Sequence, residues 1–112
     1  METVKALQAA QVQTPHGVDV RKLLDNEHVQ VMMITLNPGE ALKRHITPVD
    51  VFFYALEGVG VAEIGDEHIT LGADELLFSP ARIPHRLRNE GSAPFRVLVA
   101  KTPRPTEGTK LL

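Results

Sequence analysis

The chain of 112 residues has no cysteine, no tryptophan and a single tyrosine. The absence of cysteine excludes disulfide bonds, thiolate metal sites and thiol catalysis, and it agrees with a reducing cytoplasm, where we expect the protein. No apolar run approaches the ~20 residues of a membrane-spanning helix. A formal net charge of −2, without a basic stripe, gives no support for nucleic-acid binding. Small molecules and other protein chains remain as the expected partners.

Glycine and proline are what the chain has in regular supply, and they recur roughly every eight to twelve residues between positions 15 and 94. Short segments rich in β-branched and aromatic residues lie between them. The predicted strands are 29–36, 49–56, 59–64, 67–71, 76–79, 85–89 and 95–101. This spacing predicts an all-β sandwich or barrel.

Two turns support this reading. The residues 64–67 form a tight hairpin if Gly65 adopts the positive φ that such a turn requires. In that register His68 lies opposite Glu63 in an exposed cross-strand pair. The residues 37–39, Asn-Pro-Gly, suit a type II turn.

Both ends of the chain are less regular. The segment 3–12 is the only helical candidate, and its spacing also allows a loose amphipathic turn, so the choice stays open. The segment 102–112 begins with two prolines and has no periodicity, so we expect a mobile tail. We predict a single domain over 1–112 with a core at about 17–101.

Two stretches resemble the two conserved motifs of the cupin superfamily. The first motif has a Pro-Gly turn, His-x-His, a Glu and a later Gly. In this chain those positions are held, in order, by Pro38-Gly39, His45, Thr47, Val51 and Gly58. The second histidine and the glutamate of the motif are therefore replaced by threonine and valine.

The second motif supports the same resemblance. Its Pro, His and Asn are matched by Pro80, His85 and Asn89, whereas Asp74 and Arg82 stand at its two glycine positions. The resemblance implies an all-β double-stranded β-helix, the jelly-roll barrel of the cupins.

The resemblance also implies a metal site, in which His, His, Glu and His are the ligands. Only His45 and His85 remain here. Asp50 is a candidate third ligand if a bulge near Pro48 shifts the strand register, because regular alternation would point it away from the cavity that Val51 faces. We expect a divalent ion (Zn, Fe, Ni or Mn) held by the two histidines with Asp50 or water, or no metal at all.

Strand alternation also predicts a ligand pocket, with a filled core as the alternative. The residues predicted to line it are Lys43, Thr47, Val51, Phe53, Ala55 and Leu87. Arg82 is placed at its mouth, and His16, in a loop-like stretch, is given no role. The functional hypotheses are a small-molecule-binding barrel, a metal-dependent enzyme such as a dioxygenase or isomerase, and a barrel that only associates with protein.

The strand 49–56 carries large apolar residues on both faces. Phe52, Tyr54 and Leu56 occupy the outer face, and a single barrel covers only the inner one. We therefore expect a second copy of the chain to cover this face in a homodimer.

Overall fold

The computed structural model describes all 112 residues, and strands make up about half of them. Helix is limited to one 3₁₀ turn at Ala6–Gln8. The strands are β1 (Asp19–Asp25), β2 (Gln30–Leu36), β3 (His45–Ile46), β4 (Asp50–Glu57), β5 (Val59–Ile64), β6 (Glu67–Gly72), β7 (Leu76–Ser79), β8 (His85–Arg88), β9 (Phe95–Thr102) and β10 (Lys110–Leu111). The structure contains no helix long and apolar enough to cross a membrane.

The strands form two five-stranded antiparallel sheets that enclose one core. The first sheet has the order β1-β2-β9-β4-β7, and the second has the order β10-β3-β8-β5-β6. Chain-distant strands lie side by side in both sheets, as in a jelly roll, where the chain alternates between two layers. The all-β barrel predicted from the sequence is confirmed.

The predicted hairpin and turn have the expected geometry. Gly65 has φ 59° between β5 and β6, and Glu63 faces His68 across the hairpin. The His68 Nε2 atom lies 3.3 Å from Glu63 Oε1. Gly39, at the Pro-Gly turn, has φ 86°.

Two residues other than glycine also have positive φ. Asp74 has φ 67° and Arg82 has φ 65°. These are the two positions at which the second motif carries glycine. The left-handed backbone of the motif is therefore kept although its glycines are not.

Three strands were not predicted. β1, β3 and β10 are too short or too polar to give a clear alternation. β10 lies in the expected mobile tail and pairs with β3, with Leu111 opposite His45. An exposed edge strand needs only backbone hydrogen bonds, which a side-chain pattern does not reveal.

One end of the barrel, where β4 ends and β9 begins, is filled by side chains. The fully buried residues there are Ala55, Ala62, Leu71, Leu87, Phe95 and Val97. The Phe95 ring lies so close to Gly60 that a methyl group added at Gly60 would collide with it. The absence of a side chain at Gly60 therefore makes room for Phe95.

Candidate functional site

The opposite end of the barrel contains a cavity of about 140 Å³. Its walls are mainly apolar and include Met32, Ile34, Val51, Phe53 and Val99. Histidine, threonine and one lysine supply the polar lining, and no aspartate or glutamate lines the cavity. A mainly apolar cavity with a few polar groups is the usual form of a small-molecule site.

His45 and His85 meet at this cavity. β3 pairs with β8 so that His45 and His85 are direct cross-strand partners and lie on one face of the sheet. Their ring centroids are 4.5 Å apart. The structure therefore brings together the two histidines that the family motifs single out.

A third histidine, His16, joins them from the loop before β1. Its ring centroid lies 4.6 Å from that of His45. Sequence reasoning gave His16 no role because no periodicity or spacing connects this loop to the motifs. Only the folded chain places the loop over the cavity.

The peptide groups of Lys43 fix the tautomers of two of these rings. The Lys43 N–H donates to His16 Nδ1 over 2.9 Å, and His45 Nδ1–H donates to the Lys43 carbonyl over 2.7 Å. In the neutral rings the Nε2 atom of His16 therefore carries a proton, and that of His45 does not. Neither Nε2 atom has a hydrogen-bond partner in the chain. The pair offers a ligand one donor and one acceptor.

Both nitrogens of His85 are occupied. Its Nδ1 lies 2.7 Å from Ser79 Oγ, and its Nε2 lies 3.2 Å from Thr47 Oγ1. All three side chains are buried. Ser79 was not predicted, and Thr47 holds His85 from the position where the family motif has its second histidine.

Burial keeps the three imidazoles neutral. It lowers the pKa of His85 to about 3 and that of His16 to about 4, and in both cases the nearby charge of protonated His45 lowers it further. Burial also lowers the pKa of His45, although its hydrogen bond to Lys43 opposes this. Near pH 7 the cluster therefore consists of uncharged hydrogen-bonding rings.

Lys101 completes the polar lining. The inward positions of β9 are Phe95, Val97 and Val99, all buried, and Lys101 follows at the next inward position, in the cavity wall. Burial lowers the pKa of Lys101, and no carboxylate forms an ion pair with it. Alternation along 95–101 could have found this residue, but no functional pattern drew attention to a lone lysine at a strand end.

Comparison with known proteins identifies the family. The family model described as "Cupin domain" matches residues 32–101, which is more than half of the chain. The chain belongs to the cupin family. It is 32% identical to TT1209 from Thermus thermophilus, whose crystal structure superposes with a TM-score of 0.80 and covers 93% of this chain and 100% of that one.

Two other similar proteins carry more specific names. The tetracenomycin polyketide synthase protein TcmJ of Streptomyces glaucescens is 37% identical over 71 residues, which are 62% of this chain. The chain spans only about half, 48%, of the length of TcmJ. The polyketide cyclase RemF of Streptomyces resistomycificus has a TM-score of 0.85 over 100% of this chain and 85% of its own, at 20% identity. At that identity the likeness shows the shared cupin fold alone.

Lys43 does not line the cavity of this cupin as alternation predicted. Its side chain is exposed, and the neighbouring Leu42 faces inward instead. Ala41 pairs with Arg88 and His45 pairs with His85, so one extra residue is inserted on the strand that carries Lys43. This irregularity reverses the direction of side chains between Ala41 and His45.

Asp50 also lies away from the cavity. β4 pairs regularly with β9 from Asp50 to Ala55, so the bulge that would have turned Asp50 inward is absent. Its carboxylate instead accepts a hydrogen bond from the Ala81 N–H over 2.8 Å. Val51 faces the cavity, as alternation predicts, and Asp50 supports the neighbouring turn.

Three further pocket residues lie elsewhere. Ala55 and Leu87 belong to the filled core rather than to the cavity wall. Arg82 is exposed and pairs with Glu107 of the C-terminal segment at 3.2 Å. Thr47, Val51 and Phe53 do line the cavity.

The donors at this site do not fit a metal centre of the cupin type. No group of three or more His, Cys, Asp or Glu side chains is positioned to hold an ion. Both nitrogens of His85 are bound by hydroxyl groups, and Asp50 points elsewhere. His45 Nε2 is the one remaining ligand atom at the family positions, and a single imidazole makes a weak metal site.

Proposed function

We propose that this cupin binds a small organic molecule in the cavity at the histidine end of the barrel. The observation that carries the proposal is an apolar cavity in which neutral His16 offers a donor and neutral His45 offers an acceptor, both without partners in the chain. Such a cavity provides apolar contact for the body of a ligand and two directed hydrogen bonds for its oxygen atoms.

The size of the cavity limits the ligand. A cavity of about 140 Å³ is close to the ~150 Å³ that accommodates a benzene ring in an engineered protein core. A molecule with one ring, or a short branched chain, fits without movement of the walls. The name of TcmJ supports an oxygen-bearing organic ligand, although this cupin covers only about half of that protein.

Benzyl alcohol is a suitable first probe because it joins one ring to one hydroxyl group. We expect its titration to shift the methyl NMR resonances of Met32, Val51 and Val99, which line the cavity. Val99→Phe should fill the cavity and remove the shifts. Val59→Phe, at an exposed position, is the matched control and should leave them unchanged.

The result with the wild-type protein is decisive even if Val99→Phe folds poorly. Shifts confined to the barrel exterior, or no shifts at millimolar probe, would contradict the proposal. A folded Val99→Phe protein that still shows the wild-type shifts would contradict it as well.

Catalysis of proton transfer is a second candidate, favoured by the tautomer of His45. Its unprotonated Nε2 faces the site while Nδ1–H is held by the Lys43 carbonyl, which is the arrangement of a general base. Exchange of the methyl protons of acetophenone in D₂O, followed by NMR, tests this role. We expect faster exchange with the wild-type protein than with His45→Gln, and equal rates would exclude it.

We also propose a homodimer formed through the outer face of the first sheet. Phe52 and Tyr54 are half-buried there and pair with the neighbouring Phe78 and Leu76. Phe78 and Leu76 are 55% and 63% exposed. A continuous apolar sheet face is costly to leave in water, and a two-fold axis lets a second copy cover it with the same face.

Sedimentation at micromolar concentration tests the dimer. Phe78→Glu should shift the protein toward monomer because it places an unpaired charge in an apolar interface. Val59→Glu is the matched control, since Val59 is also 55% exposed but lies on the second sheet. A monomeric wild-type protein, or equal effects of the two substitutions, would contradict the proposed interface. A cytoplasmic location stays a prediction.

A further inference from the structure

Lys101 is the feature of the cavity that a neutral ligand leaves unexplained. Its side chain lies in a wall made mainly of apolar residues, and no acidic residue lines the cavity. Removing an ammonium group from water is costly unless an opposite charge compensates. The chain itself supplies no such charge.

The position of Lys101 relative to the family motif is informative. Its direct cross-strand partner on β4 is Val51, which stands where the motif has its glutamate. The chain therefore has an apolar side chain in place of an acid, and a cation on the neighbouring strand. This change reverses the sign of the charge that the cavity favours.

We propose that the ligand is a small monoanion with an apolar body, and that Lys101 selects it by its charge. This inference rests on the proposed function and adds the chemical class of the ligand. An anionic oxygen beside Lys101 would compensate the buried charge with an ion pair in a site of low polarity. The apolar walls, including Met32 and Phe53, would contact the rest of the ligand.

His16 is placed to assist Lys101. Because its Nδ1 accepts from the Lys43 N–H, the free Nε2 is a donor in the neutral ring. Burial lowers the pKa of both side chains. An anion at the site would favour their protonated forms and so oppose this effect of burial.

Competing readings of Lys101 are less consistent with its surroundings. A surface lysine would extend into water, but this side chain faces the interior between β2 and β4. A structural ion pair would need a carboxylate, and none is near. A divalent cation at the histidines would be repelled by the ammonium group.

Benzoate and benzyl alcohol form a matched pair of probes, since both have one ring and only benzoate is charged at pH 7. Calorimetric or NMR titration gives the Kd of each for the wild-type protein and for Lys101→Met. We expect benzoate to bind the wild-type protein about ten-fold more tightly than benzyl alcohol, as one charge-assisted hydrogen bond would produce. In Lys101→Met the preference for benzoate should disappear, while benzyl alcohol should bind as before.

The outcomes separate this inference from the proposed function. If benzyl alcohol binds the wild-type protein as tightly as benzoate, or if Lys101→Met keeps the preference, the selection by Lys101 is wrong and the cavity remains a ligand site. If neither probe binds at millimolar concentration, both proposals fail. Unchanged binding of benzyl alcohol by Lys101→Met shows that the variant cavity is intact.

Discussion

The two ends of this barrel follow the same strand alternation and differ in what the inward positions carry. At one end Phe95, Val97 and Ala55 fill the interior completely. At the other end the same strands, β9 and β4, place Lys101 and Val51 around a cavity. We call these the filled end and the hollow end.

The difference shows how one scaffold separates stability from function. The filled end has close packing with no polar atoms to satisfy, which is what stabilises a core. The hollow end leaves unfilled space and buries four titratable side chains, His16, His45, His85 and Lys101, with lowered pKa values. Such features oppose folding and are typical of functional sites.

The largest effect is expected at the filled end. Phe95→Ala should lower the free energy of unfolding by about 3–5 kcal/mol, because it removes a fully buried ring and leaves a void. Urea denaturation measures this change. Benzyl alcohol binding at a concentration where the variant is folded should be unaffected, and its loss would show that the two ends are not independent.

Acid should act mainly on the hollow end. The folded-state pKa of His85, about 3, lies below the unfolded value of 6.5, so the unfolded chain binds more protons between these values. Stability is therefore fully present above pH 6.5 and falls as the pH is lowered toward 3. From pH 7 to pH 5 the loss due to His85 should be on the order of 2 kcal/mol.

His85→Gln provides the control for this titration. Glutamine keeps a donor and an acceptor for Ser79 and Thr47 but does not titrate in this range. The decline in the free energy of unfolding between pH 7 and pH 5 should be smaller in this variant. Parallel curves for the two proteins, or an NMR titration of His85 with a midpoint near 6.5, would show that its ring is not held neutral.

The smallest effect is a gain. Lys101→Met should raise the free energy of unfolding by about 1 kcal/mol, because it replaces a buried, unpaired ammonium group with an apolar side chain of similar length. Thermal unfolding without ligand measures it. A loss of stability would mean that Lys101 has a stabilising partner in the folded chain, which would remove the reason for expecting an anionic ligand.

The sequence was sufficient for the barrel and for the two histidines at its centre. Glycine and proline spacing marked most strands, and the family motifs placed His45 and His85 correctly relative to their turns. Even the positive φ of Asp74 and Arg82 follows the motif glycines. These properties depend on local pattern and backbone conformation, which a single sequence records.

The rest of the site depends on long-range placement. His16 reaches the cavity from a loop that has no periodic relation to the motifs, and Lys43 acts through its peptide groups rather than its side chain. Alternation failed for Lys43 because an inserted residue near β3 reversed the direction of its side chain. It held for Asp50, where the bulge we had considered is absent.

The hollow end, as proposed, holds an organic anion rather than a metal ion. A crystal structure of the protein, grown with benzoate and with zinc each in molar excess, distinguishes the two directly. We expect a benzoate carboxylate within hydrogen-bond distance of Lys101 Nζ, its ring against Phe53, and no ion between His45 and His85. An anomalous zinc peak coordinated by His45 and His85, with no benzoate in the cavity, would contradict the proposal.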